Sequence, residues 1–243
     1  MAAIVPFDVN TYMRYTAATA GRDKAIRTIQ YGARFLAGIG GLWGASPDTL
    51  KRLELLKKNT SLTRKLMRVG KWIDSLNTAQ KALETRDYFL RLTLTGKSLC
   101  QAGFLFVDTL IWLNSTGVYK FKNGKNFSKI YARFWLSALL LSIISGLYKL
   151  RAIAARAALL RRITANANVN SEKGVDPEIA KEISTIKKDK ATAVRALVQD
   201  SLDAIIPVAM LELAPISEGI VGLAGLLTSL MGAEAQWAKA LRG

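Results

Sequence analysis

The sequence predicts an all-α, membrane-associated helical protein with N-terminal amphipathic helices and two or more hydrophobic helical segments. Half of the 243 residues are hydrophobic, and apolar residues recur at the three- and four-residue intervals of helices. Lys and Arg number 35 against 18 Asp and Glu, a formal net charge of +17. A membrane protein with basic loops combines both properties, whereas nucleic-acid-binding proteins share the charge but seldom such long apolar runs.

The most informative stretch is residues 51–81, which we predict to be one basic amphipathic helix. Six apolar side chains fall on one narrow stripe of this helix: Leu55, Leu62, Leu66, Val69, Ile73 and Leu76. The opposite face carries four cations: Lys57, Arg64, Arg68 and Lys71. Such a helix is typical of a protein that lies on an anionic phospholipid membrane. The alternative is a stripe that packs against other helices of the same protein while the cations are solvated.

This stretch belongs to a predicted N-terminal amphipathic helical region, residues 1–95. A second basic amphipathic helix is predicted over residues 22–37, where four apolar residues repeat at intervals of three and four. The glycine-rich residues 38–48 separate the two helices, and Ser46-Pro47-Asp48 is a good start signal for the second.

Residues 96–150 are predicted to form a hydrophobic helical hairpin. Residues 98–119 form a long, mainly apolar stretch in which Asp108 is the only charge, and residues 134–148 carry no charge at all. The uncharged run makes about 22 Å of helix against a hydrocarbon core of about 30 Å, so a buried helix of a soluble protein is the alternative. Asp108 indicates either a charge that faces another helix or a segment that lies shallow in the membrane.

Residues 151–190 are predicted to be a basic and polar exposed loop, with a short charged helix in its second half as an alternative. Residues 191–243 are predicted to form a C-terminal membrane-anchoring helical region, which Pro207 and Pro215 interrupt. Within this region small residues recur every four positions, a pattern that suits close helix packing in lipid. This helix-packing face consists of Gly225, Ser229 and Ala233.

Several chemistries are excluded or disfavoured by the composition. The chain has no histidine, which removes the commonest general base and any Ser-His-Asp or Cys-His site. Cys100 is the only cysteine, so no internal disulfide framework exists. Gly96-Lys97-Ser98 resembles a phosphate-binding loop, but the glycine required five positions earlier is Arg91. We therefore expect no enzyme activity, no cofactor, no metal and no nucleic-acid partner.

Three segments, in order along the chain, carry a resemblance to a known family. They are GRDKAIRTIQYGARFLA at 21–37, RKLMRVGKWIDSL at 64–76, and the glycine-rich segment that ends near Trp237. Together they resemble peroxin eleven, a family that elongates and proliferates peroxisomal membranes. The resemblance implies a homo-oligomer in the peroxisomal membrane with both termini in the cytosol. It also implies partners in the fission machinery, including a dynamin-like GTPase and its membrane adaptor.

The resemblance further implies roles for residues 51–81. The apolar stripe from Leu62 to Leu76 would insert into the cytosolic leaflet and tubulate the membrane. The family's lipid-binding cations would correspond to Arg64, Lys65, Arg68 and Lys71. An alternative function is a channel or pore for small solutes across the same membrane, lined by Asp108, Glu212 and Glu218.

Overall fold

The computed structural model describes residues 8–170 and 177–242, with residues 165–170 and 177 described by their backbone alone. This part of the chain contains helices and turns but no strand, which confirms the predicted all-α fold. The helices are α1 (Val9–Ala17), α2 (Thr19–Gly38), α3 (Pro47–Met67), α4 (Lys71–Leu83), α5 (Tyr88–Thr116), α6 (Phe127–Asn170), α7 (Pro177–Met210) and α8 (Glu218–Arg242).

The contacts between helices close into a ring. Along the chain, α2 packs on α3, α3 on α5, α5 on α6, α6 on α7 and α7 on α8, and α8 returns to pack along α2. Helix α4 lies against α5, and α1 lies against α2 and α8. The predicted N-terminal and C-terminal regions are therefore in direct and extensive contact.

The predicted single helix over residues 51–81 is two helices, so that prediction is wrong. Helix α3 begins as expected: the Ser46 side chain accepts a hydrogen bond from the Thr49 amide at 3.2 Å, and Pro47 opens the first turn. It ends at Met67 because Gly70 adopts φ = +81°, a left-handed conformation that glycine tolerates and that stops a helix. Helix α4 starts immediately afterwards at Lys71.

Residues 96–150, predicted to be a hydrophobic hairpin, fall in the antiparallel neighbours α5 and α6, which extend beyond these bounds at both ends. The Asp87 carboxylate caps α5 by accepting from the Leu90 amide at 2.8 Å, and Gly117 ends α5 with φ = +83°. Among the described residues, one helical stretch is long and apolar enough to cross a membrane. It is Gly124–Thr164, which consists of the short turn before α6 and most of α6 itself. Within the most apolar 18 residues of this stretch, only 33% are buried inside the protein, so most of them are available to contact lipid or another protein.

The predicted exposed loop over residues 151–190 is largely helical. Helix α6 continues to Asn170 and α7 begins at Pro177, while residues 171–176 lie outside the described residues. The alanine-rich run at 151–162 has high helix propensity and carries α6 past its apolar part. An ion pair between Arg156 and Glu182 then links α6 to α7.

Candidate membrane surface and interior charge network

The predicted membrane-inserting stripe lies on the outer surface of α3 and α4. Five of its six side chains are between 41% and 53% exposed: Leu55, Leu66, Val69, Ile73 and Leu76. Leu62 is half-buried. The stripe stays exposed across the break at Gly70, so about half of the surface of these five side chains is not used in packing within the protein. This geometry leaves them free to contact lipid; insertion itself stays a prediction.

Other helices also turn large apolar side chains outward. On α8 they recur at intervals of three and four, as Ile220, Leu223, Leu227 and Leu230, and on α6 they include Leu140, Ile144 and Leu147. Large exposed apolar patches mark sites that contact membranes or other proteins. The outer surface of the ring therefore has the character of a surface that is covered when the protein functions.

The interior carries buried charges, of which Asp108 on α5 is the most enclosed, with an exposed fraction of 1%. Its carboxylate lies 2.6 Å from the Lys65 ammonium and 2.7 Å from the Arg68 guanidinium. Both cations also lie over aromatic rings, Lys65 over Tyr131 and Arg68 over Phe104. One acidic residue in an apolar helix thus joins α5 to the C-terminal end of α3.

Two further aspartates join α2 to its neighbours. Asp23 accepts from Arg64 of α3 at 3.0 Å. Asp203 of α7 accepts from Arg27 of α2 and from Thr228 of α8, each at 2.6 Å. Because these pairs are buried, removing one partner leaves an uncompensated charge, and the network fixes which helices are neighbours.

The placement of the predicted lipid-binding cations requires a correction. Arg64, Lys65 and Arg68 point into the ring and are paired with aspartates there, not turned towards a membrane surface. Lys57 is half-buried and pairs with Glu54 at 2.6 Å, and Lys71 is half-buried and lines an interior cavity. Headgroup binding by these five cations stays a prediction, and three of them already have acidic partners from distant helices.

The predicted small-residue face of α8 makes a close contact, but with α2 of the same chain. Gly225 and Ser229 are buried, whereas Ala233 is half-buried. A Cβ atom added at Gly225 would lie 2.1 Å from the Tyr31 ring, so only glycine fits there. Gly222, one turn earlier, belongs to the same face. Self-association through this face would compete with the internal contact.

The three acids assigned to a pore lie in different surroundings within the described residues. Asp108 is closed off by its two cations. Glu212 is exposed in the connection between α7 and α8, and Glu218 pairs with Arg34 of α2 at 2.8 Å. Lining of a pore by these three acids stays a prediction, and Asp108 and Glu218 already have cationic partners within the chain.

Burial and neighbouring charges shift the pKa of interior groups on α2. Burial, with a further contribution from Arg27, lowers the pKa of Lys24 to about 8. Burial opposes ionisation of Asp23, but Arg64 and Arg68 outweigh it and hold the pKa of this carboxyl below its ordinary value. Both groups are therefore charged at neutral pH. Within the described part of the chain, no group of three Cys, Asp or Glu is placed to hold a metal ion.

The sequence predictions missed Asp23, Arg27, Asp203 and Thr228 as parts of the interior network. A signal for Asp203 was present, since it lies in the apolar segment SLDAII and isolated acids in such segments require a buried partner. Asp108 did draw attention for the same reason. Its interpretation as a charge that faces another helix is confirmed.

Comparison with known proteins agrees with the resemblance seen in the sequence. The family model for peroxisomal biogenesis factor 11 (PEX11) matches residues 9–237. Peroxisomal membrane protein 11B of Bos taurus is 24% identical over 92% of this chain and 95% of its own length. Peroxisomal biogenesis factor 11 of Schizosaccharomyces pombe is 27% identical over 93% of each chain, and peroxisomal membrane protein 11E of Arabidopsis thaliana is 28% identical over 89% and 87%. No solved structure matches. Since the family match runs from α1 to the last turns of α8, the chain belongs to the PEX11 family.

Proposed function

We propose that this protein resides in the peroxisomal membrane and remodels it, elongating and tubulating the membrane so that peroxisomes divide and proliferate. The location is supported by relatives whose names describe peroxisomal membrane proteins. The family model describes a biogenesis factor, which supports a role in building the organelle and not in catalysis.

The observation that carries this proposal is the exposed apolar stripe of α3 and α4. Full burial of one such side chain is worth about 1.5–3 kcal/mol, and five of them are about half exposed in this structure. Insertion into the headgroup region would therefore contribute about 4–7 kcal/mol, which gives firm but reversible attachment. A wedge in one leaflet expands that leaflet and favours curvature.

Exposed cations of α3 supply the attraction between the stripe and an anionic membrane surface. Lys51 and Lys58 of α3 are exposed and flank the stripe on the helix surface. Each contributes about 1 kcal/mol near an anionic membrane. The apolar stripe then supplies the insertion, and the interior cations keep their structural partners.

Self-association and the fission partners are also part of this proposal. The exposed row on α8 from Ile220 to Leu230 supports a homo-oligomer, because the small-residue face of the same helix is already used against α2. Recruitment of a dynamin-like GTPase and its membrane adaptor, and the cytosolic position of both termini, rest on the family resemblance.

The test is reconstitution of the full chain into anionic liposomes, with electron microscopy of the resulting membranes. Leu66→Glu and Ile73→Glu each place a charge in the stripe. We expect both variants to be incorporated into the liposomes but to form few or no tubules. Thr78→Glu is the matched control, since Thr78 is exposed on the polar side of α4 and adds the same charge. Normal tubules with both stripe variants would refute the wedge.

A further inference from the structure

The helices of the ring line a polar cavity that is partly open to solvent and that membrane insertion does not use. Its volume is about 360 Å³, and its walls come from α2, α3, α5, α6 and α7, with Lys71 at the start of α4. Its charged lining consists of six cations and three acids: Lys24, Arg27, Arg64, Arg68, Lys71 and Lys97 with Asp23, Asp200 and Asp203.

The acids do not balance these cations. Asp23 forms an ion pair with Arg64, and Asp203 forms one with Arg27. Asp200 accepts a hydrogen bond from Ser142, and Lys97 donates to the same serine at 2.7 Å. Asp108, behind the wall, is shared between two cations. The cavity therefore keeps an excess of positive charge.

Two lysines account for much of the excess. Among the described residues, no carboxylate lies within 4 Å of the Lys24 or the Lys71 ammonium. Burial lowers the pKa of Lys24 to about 8, so this ammonium still carries its charge at neutral pH. The Nε of Arg68 is buried and has no hydrogen-bond partner. Enclosed cations and donors without partners are costly, and a bound anion removes that cost.

We propose that this cavity binds a phosphate group, carried either by a soluble phosphate compound or by a phospholipid headgroup. Guanidinium groups bind phosphate oxygens through paired hydrogen bonds, and lysines add point charges. A phosphate dianion offsets more of the excess charge than a single carboxylate does. The apolar side of the cavity, formed by Phe104, Trp135 and Leu139, would contact the part of the ligand that bears the phosphate.

The test measures thermal unfolding of the full chain in neutral detergent as inorganic phosphate is added at constant ionic strength. Binding to the folded state predicts a saturable rise of about 5 °C or more at a hundredfold excess over the dissociation constant. A second arm uses nanodiscs of phosphatidylcholine with and without phosphatidic acid. Stabilisation by inorganic phosphate identifies a soluble ligand, and stabilisation by phosphatidic acid alone identifies a headgroup.

The variants Lys24→Met and Lys71→Met decide whether the cavity is the site. Neither lysine has an ion pair to lose, so both variants are expected to fold. Each should weaken the effect of whichever ligand stabilises the protein at least about tenfold, the usual worth of a charged hydrogen bond. Lys81→Met, an exposed lysine of α4, should change nothing.

The proposal is overturned if neither ligand raises the unfolding temperature. It is also overturned if Lys24→Met and Lys71→Met respond to the ligand as Lys81→Met does, because binding is then elsewhere on the basic surface. Neither result bears on the proposal that the stripe inserts into the membrane and bends it, because tubulation is measured separately with the Leu66 and Ile73 variants.

Discussion

Replacing Asp108 by asparagine tests the interior charge network most directly. The substitution keeps the shape of the side chain and removes its charge, so no cavity complicates the result. Asp108 is 1% exposed and lies within 3 Å of Lys65 and Arg68. Removing one partner of a buried ion pair costs about 3–5 kcal/mol, because the remaining charges stay desolvated and unpaired.

For a chain of this length, each kcal/mol moves the unfolding temperature by about 2–4 °C, so the expected loss for Asp108→Asn is about 6–20 °C. The measurement is tryptophan fluorescence of the purified protein in detergent as temperature rises. Trp72 and Trp135 pack on the apolar cluster beside Asp108 and report on this region. Adding Lys65→Met should recover part of the loss, because the net charge of the group returns to its native value.

Asp48→Asn is the matched control for this prediction. Asp48 also pairs with an arginine, Arg52 at 2.8 Å, but both side chains are largely exposed. An exposed pair contributes less than about 1 kcal/mol, so this variant should unfold within a few degrees of the native protein. If Asp108→Asn shifts the unfolding temperature no more than Asp48→Asn does, the interior network does not stabilise the fold as argued.

Two further predictions concern α2 and its contacts. Gly222→Ala should cost about 1–3 kcal/mol in thermal unfolding, because the added Cβ would lie 2.4 Å from the backbone nitrogen of Phe35, whereas Gly41→Ala meets nothing within 4 Å and should be neutral. Lys24 loses its proton near pH 8 when folded and near 10.5 when unfolded, so its destabilising contribution is full below pH 8 and is relieved as pH rises towards 10.5. Lys24→Met should therefore unfold at a higher temperature than the native protein at pH 7, and this advantage should shrink by about pH 10; an advantage that grows with pH would contradict the assignment.

Local signals in the sequence predicted most of the helices. Apolar periodicity located α2 and α3, a long apolar stretch located α5, and Ser46-Pro47 marked the start of α3. The break at Gly70 could not be predicted from this periodicity, because the apolar stripe continues across it at helical spacing. A single glycine is also not enough to predict a left-handed turn. The long extension of α6 was missed for the opposite reason, since its polar residues suggested a loop although its alanines favour helix.

The interior network depends on pairs that are far apart in the chain. Arg64 and Arg68 lie on the same face in any amphipathic interpretation of α3, and only tertiary structure shows that Asp23 and Asp108 meet them. Periodicity separates an apolar face from a charged one but does not say which face is inside. In a soluble protein the apolar face is inside by default, whereas here α3 turns its charged face inside and leaves Leu55 and Leu66 about half exposed.

The return of α8 to α2 has a consequence for how the protein is made. The ribosome synthesises α2 long before α8. Asp203, the partner of Arg27, and Thr228, which donates to Asp203, are also synthesised long after α2. Until then Arg27 lacks its aspartate partner and Tyr31 of α2 lacks the apolar side chains that cover it, and such long-range closure is slow and prone to aggregation. We therefore expect the nascent chain to need a holding chaperone and to enter its membrane only after synthesis is complete.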